Sequence, residues 1–299
     1  MNYVGLDIGG TTIKAGLVSE SGLVLSTAHA ATVADNLEGL VETLAGLVAH
    51  FNPVAQFEAV GMGIPGILSA RTHRVETSPH IPCIHHVNLE EILSKRLKIK
   101  VLSDNDANAG AYAEWTCGAG KTLGHMAYLT IGTGLGGGLI LSGNLYRGAS
   151  GFAGEMGHIT VEPNGRRCAC GSTGCLETRV SGPGLVETAR ELSPGYAALT
   201  AESIYKAACA GDKVALRAFE VTGQFLGIAC ANLINLLNIE MIVIGGGVIA
   251  SGDLLLDSAR AEVQQRAFEP AARICPIVQS QLWPNAGLIG AAMLARDHQ

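Results

Sequence analysis

The amino-acid sequence predicts an α/β protein with two domains. Its 299 residues are enough for two domains of ordinary size, at roughly 100 to 200 residues each. Short apolar segments typical of strands alternate with segments whose apolar residues recur at helical spacing. The 39 glycines make up ~13% of the chain against a usual ~7%, which indicates many tight backbone turns between the elements.

In the first half, strands and helices alternate along the chain. Strands are predicted over 2–8, 12–18, 23–27, 57–62 and 101–102. Helices are predicted over 37–51, 89–97 and 107–115, the first because Leu37, Leu40, Val41 and Leu44 lie on one face.

The second half repeats the opening pattern from residue 126: strand, glycine turn, strand. A shift of 123 residues aligns the segment 6–9 with 129–132, so the chain has the pattern of a duplicated strand-turn-strand unit. Chance recurrence in a glycine-rich chain is the alternative. A cysteine-rich stretch follows, then mainly helices over 184–238, a strand at 241–244, and helices near 253–268 and 286–296.

Charge and hydropathy exclude several classes of protein. The formal net charge is -6, which gives none of the broad positive field that binding to DNA or RNA requires. The best candidate for a membrane span, 241–250, is too short and is interrupted by glycines, so we expect no membrane segment. The N-terminus has no basic and apolar leader, and we expect a soluble protein in the cytoplasm.

Two glycine runs, 132–137 and 61–66, fit the pattern G-x-G-x-x-G of dinucleotide sites. Such a site needs a helix that opens directly after the loop, and the sequence predicts none at either place. An oxidoreductase is therefore disfavoured. Successive backbone N-H groups in a glycine turn can still hold a phosphate, which suits an acidic protein that binds a nucleotide.

The segment 7–14 is a sharper candidate for a phosphate site. An aspartate at a strand end can orient a metal-bound water, glycines allow close approach, and hydroxyl and ammonium groups bind phosphate oxygens. The residues are Asp7, Gly9, Gly10, Thr11, Thr12 and Lys14. The alternative is a plain β-hairpin.

A further candidate lies between the strand at 101–102 and the following helix. Asn105 and Asp106 project at the carboxyl end of a strand, where open α/β sheets bind ligands. Capping of the helix is the alternative, although it explains one polar residue rather than the cluster formed with Asp104.

Three of the eight cysteines cluster in sequence, with a histidine ten residues before the first. His158, Cys168, Cys170 and Cys175 supply one imidazole and three thiolates, a set that suits closed tetrahedral zinc. The short Cys-x-Cys step departs from common zinc-finger spacing, so unliganded thiols are the alternative.

Five blocks in this order resemble the ROK family of kinases and repressors, within the superfold of hexokinase, Hsp70 and actin. The resemblance covers nearly the whole chain. The blocks are Asp7-Ile8-Gly9-Gly10-Thr11, Asn105-Asp106-Ala107-Asn108-Ala109, Gly132-Thr133-Gly134-Leu135-Gly136-Gly137-Gly138, Gly154-Glu155-Met156-Gly157-His158 and Cys168-Ala169-Cys170-Gly171-Ser172-Thr173-Gly174-Cys175-Leu176-Glu177.

The resemblance implies an α/β, two-domain, actin-like (ribonuclease H-like) ATPase fold with a zinc knuckle in the larger domain. A small α/β domain over 1–118 would be completed by a C-terminal helix at 286–299. The larger domain would cover 119–285 and carry the zinc-binding segment 158–177.

The resemblance also implies a function: transfer of the γ-phosphoryl group of Mg-ATP to the 6-hydroxyl of a hexose, with glucose the first choice. Asp106 would be the general base. The sugar would be bound by Gly66, Asn105, Asp106, Glu155, His158 and Glu177. ATP and Mg²⁺ would be bound by Asp7, Gly9, Gly10, Thr11, Thr12, Lys14, Gly132, Thr133, Gly134, Gly136, Gly137, Gly246 and Gly247. Zinc would be structural, and the assembly a homodimer or homotetramer.

Alternatives remain open for the substrate and for the class of protein. Another sugar, such as N-acetylglucosamine, N-acetylmannosamine, allose or fructose, would suit the same reaction. The family's repressors carry a DNA-binding module before the first block. Only six residues precede Asp7, so we expect no such module and no binding to nucleic acid.

Overall fold

The computed structural model describes residues 1–197 and 200–298, and it is an α/β protein, as predicted. Residues 198, 199 and 299 lie outside the described part, including the last residue of the predicted C-terminal helix. The strands are β1 (Asn2–Ile8), β2 (Thr12–Ser19), β3 (Val24–Ala31), β4 (Ala59–Ile64), β5 (Ile67–Leu68), β6 (Val75–Thr77), β7 (Lys100–Asn105), β8 (Met126–Ile131), β9 (Leu135–Leu141), β10 (Asn144–Leu145), β11 (Met241–Gly245) and β12 (Ile277–Gln279). The helices are α1 (Leu37–Ala49), α2 (Leu89–Leu97), α3 (Asp106–Thr116), α4 (Gly182–Leu192), α5 (Ala201–Cys209), α6 (Lys213–Leu237), α7 (Asp253–Arg266), α8 (Glu269–Ile274) and α9 (Ala286–Asp297).

The chain packs into two compact units. The first contains Met1–Leu123, Gly138–Gly154 and Gln281–Gln299, and the second contains Gly124–Gly137 and Glu155–Ser280. The C-terminal helix α9 therefore packs with the first unit, and so does the segment 138–154. The predicted domain boundary at residue 118 stays a prediction.

A five-stranded sheet with the order β3-β2-β1-β4-β7 forms the centre of the first unit. Strands β1, β4 and β7 are parallel, so their carboxyl ends lie at one edge. Helix α9 packs closely on β1 and β4, because Gly5 and Gly61 have no Cβ that would overlap the helix carbonyls of Leu288 and Ala291. Gly61, one residue of the second G-x-G-x-x-G run, thus serves helix packing.

The run 61–66 lies largely within a strand. Strand β4 extends to Ile64, two residues beyond the predicted end, so only Pro65 and Gly66 form a turn. Strand β7 is also longer than predicted, and it ends at Asn105 where α3 begins. The short strands β5 and β6 were not predicted.

The second sheet has the order β10-β9-β8-β11-β12. In the second unit β8, β11 and β12 are parallel, with Leu129 opposite Ile244. Beyond β11 the chain turns at Gly246, which has φ +87 and lies against the backbone of Ile131 where a Cβ would overlap. The glycine-rich end of β11 is therefore packed against the end of β8.

Helix α6 is a longer candidate for a membrane span than the segment 241–250, which was the best candidate in the sequence. It has 25 residues, and by length and composition it is apolar enough to cross a membrane, with mean hydropathy 1.3 over its most apolar window. The sequence pattern predicted helices over 184–238 but no apolar segment of 25 residues there. Within the second unit, 56% of that window is buried, and α6 packs against α4, α5 and α7. A core helix passes the same test of length and composition.

Candidate functional site

Asn105 caps helix α3 and holds a neighbouring loop. Its side-chain oxygen accepts hydrogen bonds from the backbone N-H groups of Ala107 (2.9 Å) and Asn108 (3.1 Å), so the capping alternative applies to this residue. Its amide donates to the carbonyl of Gly66 at 3.0 Å. Gly66 has φ +119, and a Cβ there would overlap the carbonyl of Thr77. The structure thus brings together Asn105 and Gly66, two of the predicted sugar-binding residues.

Asp106 is the first residue of α3 and is half-buried. One carboxylate oxygen accepts from the N-H of Ala107 at 2.9 Å. A Cβ on Gly63 would lie 3.3 Å from the Cα of Asp106, so β4 passes close beside the start of α3. The carboxylate stands at the helix N-terminus, where the helix dipole favours negative charge.

Asp104 and Arg147 were not among the predicted site residues. Asp104 is 5% exposed and lies two residues before Asp106, while Arg147 follows β10 in the same unit. Nε of Arg147 donates a hydrogen bond to one carboxylate oxygen of Asp104 at 2.7 Å, and Nη2 forms an ion pair with the same oxygen at 2.6 Å. The partners are 43 residues apart in sequence. Asp104 could have been noticed from its place in the Asp-Asn-Asp cluster, but no local pattern marks Arg147.

The segment 7–14 forms the turn between β1 and β2. The turn is closed by a hydrogen bond from the N-H of Gly9 to the carbonyl of Thr12 at 3.0 Å. Gly10 lies against His80, and the side chains of Thr11 and Thr12 are exposed. The predicted phosphate loop is therefore a hairpin in its local structure. A phosphate site and a plain β-hairpin both have this local structure.

Asp7 and Lys14 face each other in this hairpin, as paired residues of β1 and β2. Burial raises the pKa of the Asp7 carboxyl above its ordinary value, and the charge of Lys14 opposes that effect. A carboxylate in this environment gains from a nearby cation.

In the second unit the glycine loop 132–137 is held by two neighbouring segments. The carbonyl of Gly132 accepts from the N-H of Gly182 at the start of α4, at 2.8 Å. The carboxylate of Glu177 accepts from the N-H of Leu135 at 2.9 Å. A Cβ on Gly134 would lie 2.6 Å from that carboxylate, so the loop and Glu177 are in close contact.

A cavity of about 950 Å³ lies within the second unit, beside this loop. Its volume is at the upper end of the range for small-molecule sites. It is lined by Gly132, Thr133, Arg166, Arg167, Cys168, Ala169, Glu177, Thr178, Ser181, Gly182, Pro183, Gly184, Val186, Glu187, Arg190, Thr200, Ala201, Glu202, Tyr205, Phe219, Gly247, Val248, Ala250 and Ser251. Of the residues predicted to bind nucleotide, Gly132, Thr133 and Gly247 line it. Gly134, Gly136, Gly137 and Gly246 do not.

The start of helix α4 is a wall of the cavity that the sequence analysis missed. Ser181 caps the helix, and its hydroxyl accepts from the N-H of Gly184 at 3.0 Å. Pro183 occupies the first turn, as is common at helix starts. Ser followed by Gly-Pro-Gly is a start signal from which the sequence could have located this helix N-terminus.

The predicted metal ligands converge in space. The ligand atoms of His158, Cys168, Cys170 and Cys175 all lie within 4.8 Å of one another. The sulfur of Cys168 is 3.8 Å from Nδ1 of His158, and the sulfurs of Cys170 and Cys175 are 3.7 Å apart. Tetrahedral zinc, with Zn-S near 2.3 Å and Zn-N near 2.0 Å, places its ligand atoms roughly 3.6 to 3.8 Å apart. The cluster fits such an ion.

A bound cation would change the charge state of the cluster. Burial raises the pKa of Cys168 and, to about 12, that of Cys175, so both favour the neutral thiol when no cation is near. A metal ion among the ligands would reverse this preference, since a coordinated thiol is deprotonated.

Glu155 and Glu177 flank this cluster. With Nδ1 of His158 facing Cys168, its Nε2 faces the carboxylate of Glu155 at 3.9 Å. Burial raises the pKa of Glu155, and the charge of Glu177 adds to the effect while His158 opposes it. The structure therefore groups all three predicted sugar-binding residues of this unit around one cluster.

The chain is similar to known proteins along its whole length. The model of the ROK family matches residues 3–298. The chain is 34% identical to a glucokinase of Thermotoga maritima over 99% of this chain and 98% of that one, and 35% identical to a glucokinase of Halalkalibacterium halodurans over 99% and 96%.

A solved structure shows the same architecture. A ROK family glucokinase from Streptomyces griseus, in complex with glucose and AMPPNP, superposes with a TM-score of 0.87 at 37% identity, over 99% of both chains. The family match covers almost every residue and agrees with the resemblance of the five sequence blocks, and the chain therefore belongs to the ROK family.

Proposed function

We propose that this protein is an ATP-dependent glucose kinase, which transfers the γ-phosphoryl group of Mg-ATP to the 6-hydroxyl of glucose. The observation that carries the proposal is identity of 34% to 37% over essentially the full chain with three glucokinases, one of them a ROK family enzyme solved with glucose and AMPPNP.

The nucleotide would occupy the cavity of the second unit. The glycine loop 132–137 borders it, and the backbone N-H groups of such a loop can hold phosphate oxygens at close range. The start of α4 also borders the cavity, and it holds the loop through the bond from Gly182 to Gly132. The predicted nucleotide residues of the first unit, from Asp7 to Lys14, are assigned to ATP and Mg²⁺ by resemblance to the family.

Asp106 would take the proton of the 6-hydroxyl. As the hydroxyl oxygen forms its bond to the γ-phosphorus, the bond from that phosphorus to the β-phosphate oxygen breaks, ADP leaves, and the proton passes to the carboxylate. Asn105 retains one amide N-H for a sugar hydroxyl after its bond to Gly66. Asp7 would be the carboxylate that holds Mg²⁺ through a bound water, and that ion would offset the phosphate charge of ATP.

We further propose that His158, Cys168, Cys170 and Cys175 hold a structural zinc ion. Four protein ligands leave no open coordination position, so the ion supplies folding stability rather than Lewis acidity. The Nε2 atom of His158, with Glu155 and Glu177, would bind sugar hydroxyls. By resemblance to the family, the protein would work in the cytoplasm as a homodimer or homotetramer.

The test is release of ADP from ATP with a panel of sugars: glucose, mannose, fructose, allose, N-acetylglucosamine and N-acetylmannosamine. We expect the highest kcat/KM with glucose. 6-Deoxyglucose is the matched control, because it should bind competitively with glucose and release no ADP. A clear preference for an N-acetylhexosamine, or turnover with 6-deoxyglucose above the rate without sugar, would contradict the proposal.

A further inference from the structure

Arg166 links the cysteine segment to the wall of the nucleotide cavity. It lies two residues before Cys168, and its side chain is 15% exposed. Its guanidinium group donates to the carbonyl of Thr178 at 2.6 Å, to the carbonyl of Gly184 at 2.9 Å, to the hydroxyl of Thr188 at 3.0 Å and to the carboxylate of Glu191 at 2.9 Å. Gly184, Thr188 and Glu191 all belong to α4.

The first of these bonds closes the cysteine segment on itself. Arg166 precedes the first cysteine, and Thr178 follows the last by three residues. The backbone supports the same closure, because the carbonyl of Arg166 accepts from the N-H of Gly174 at 2.8 Å. The three cysteines therefore lie in a loop whose two ends are held together by Arg166.

The other bonds reach the part of α4 that borders the cavity. The carbonyl of Gly184 is in the first turn of the helix, and the N-H of Gly182 in that turn donates to Gly132 of the phosphate loop at 2.8 Å. A continuous series of hydrogen bonds thus runs from the cysteine loop through Arg166 and α4 to the glycine loop.

We propose that Arg166 is a positioning residue for nucleotide binding, through which the affinity for nucleotide depends on the integrity of the cysteine loop. This inference rests on the proposed function, which assigns the cavity to the nucleotide. Arg166 acts through α4: without it, the first turn loses the anchor of its carbonyl, and the bond by which Gly182 in that turn holds Gly132 of the glycine loop is weakened. A positioned group displaced by ~1 Å can lose most of its effect.

Arg179 provides a matched control in the same unit. Its side chain is 12% exposed and donates to Glu191 as Arg166 does, but its other bonds go to Glu162 and none goes to the first turn of α4. Arg166→Met and Arg179→Met each remove one partner of Glu191, so we expect them to lower the melting temperature similarly. Only Arg166→Met should affect the start of α4.

The experiment measures the dissociation constant of ADP by calorimetry on the full chain. We expect Arg166→Met to weaken ADP binding about tenfold or more, as for loss of one or two charge-assisted hydrogen bonds at the cavity wall, and Arg179→Met to change it less than about twofold. Arg166→Lys keeps the charge but not the four hydrogen bonds, so its dissociation constant for ADP should lie between those of wild type and Arg166→Met. It also tests the inference if Arg166→Met does not fold.

Removing the metal with a chelator tests the link to the cysteine loop. It should weaken ADP binding strongly in the wild type and much less in Arg166→Met. Equal ADP affinities of the Arg166→Met and Arg179→Met variants, or equal losses on chelation in wild type and Arg166→Met, would overturn the inference and leave the proposed function intact. A wild-type protein that binds no ADP would instead overturn the proposed function, and the inference with it.

Discussion

Arg147 donates a hydrogen bond from Nε to one carboxylate oxygen of Asp104 and forms an ion pair with the same oxygen through Nη2. The other oxygen of Asp104 accepts hydrogen bonds from the N-H of Asn105 and the side-chain amide of Asn108, each at 2.8 Å. These four contacts occupy both oxygens of the carboxylate. They fix the junction at which β7 ends and α3 begins, called the corner below, and Asp106 lies at this junction.

Replacing Arg147 with Gln should therefore reduce catalysis without a direct contact to substrate. The carboxylate of Asp104, 5% exposed, would lose its cationic partner, and the corner would relax. Because a ~1 Å displacement can cost about 10²-fold in a positioned reaction, we expect kcat to fall by roughly 10- to 100-fold. The free energy of unfolding should fall by ~1 to 3 kcal/mol, less than for a fully buried pair because Arg147 is 35% exposed. Steady-state kinetics and urea unfolding measure both quantities.

The exposed pair of Arg96 and Glu42 is the control for this prediction. The same two nitrogens of Arg96, Nε and Nη2, contact the carboxylate of Glu42 in the same unit, but this pair lies on the surface. Arg96→Gln should leave kcat and stability close to wild type. If Arg147→Gln behaves in the same way, Arg147 does not position the corner.

Replacing Asp106 with Asn should separate binding from chemistry. The amide can occupy the same place at the start of α3 but cannot accept the proton of the attacking hydroxyl. We expect kcat to fall by roughly 10² to 10⁴, the usual contribution of a general base, while the dissociation constant of glucose changes little. Turnover near that of wild type in the purified variant would remove Asp106 from its proposed role.

Asp7 should make the protein less stable at neutral pH than a neutral residue would. An acid whose pKa is raised on folding binds its proton more tightly in the folded state, so stability falls as the pH rises from the unfolded value near 3.8 through the folded pKa. Asp7→Asn removes this loss. Its free energy of unfolding should exceed that of wild type at pH 7, and the difference should shrink toward pH 4.

Urea unfolding of both proteins across this pH range, without nucleotide or Mg²⁺, measures the effect of Asp7. Lys14→Gln is the control, since it removes the charge that opposes the shift and should lower stability at pH 7. A stability difference between Asp7→Asn and wild type that does not vary with pH would contradict the explanation. The same Asp7→Asn variant should have little kinase activity, because the proposed role of Asp7 with Mg²⁺ needs the carboxylate.

Local features of the sequence predicted much of the site. Three of its features are each contained in a short segment, so spacing along the chain is enough to find them. They are the hairpin 7–14, the strand end before Asp106 and the Cys3His cluster. Arg147 and Arg166 act on residues 43 and 18 positions away, and only the folded chain shows those contacts. The run 61–66 matches G-x-G-x-x-G, but its sequence context disfavoured a dinucleotide site, and Gly61 proved to be a contact surface for α9.

Two glycines of the phosphate loop should respond differently to the same substitution. A Cβ at Gly132 meets no atom within 4 Å, whereas a Cβ at Gly134 lies 2.6 Å from the carboxylate of Glu177. Gly134→Ala should therefore displace Glu177 and lower both stability and activity. Gly132→Ala should keep the melting temperature of wild type and raise the KM for ATP, since the new methyl group projects into space beside the nucleotide cavity. Equal melting temperatures for the two variants would contradict this distinction.

The last prediction concerns the metal. If the four ligand atoms within 4.8 Å of one another hold zinc, the purified protein should contain about one zinc ion per chain by elemental analysis. Replacing the buried Cys175 with Ser should remove most of that zinc and lower the melting temperature, because metal binding contributes to folding. Sugar-dependent activity should fall as well, since Glu177 follows Cys175 by two residues and His158 is itself a ligand.

Cys209 gives the matched control for the zinc prediction. It is an exposed cysteine at the end of α5, outside the cluster. Cys209→Ser should therefore keep the zinc content, stability and activity of wild type, which excludes a general effect of removing a thiol. Active wild-type protein without zinc would refute the assignment of the cluster. A zinc-free Cys175→Ser variant with unchanged glucose affinity would instead show that the sugar site does not depend on the metal, since loss of the ion should free His158 and Glu177 to move.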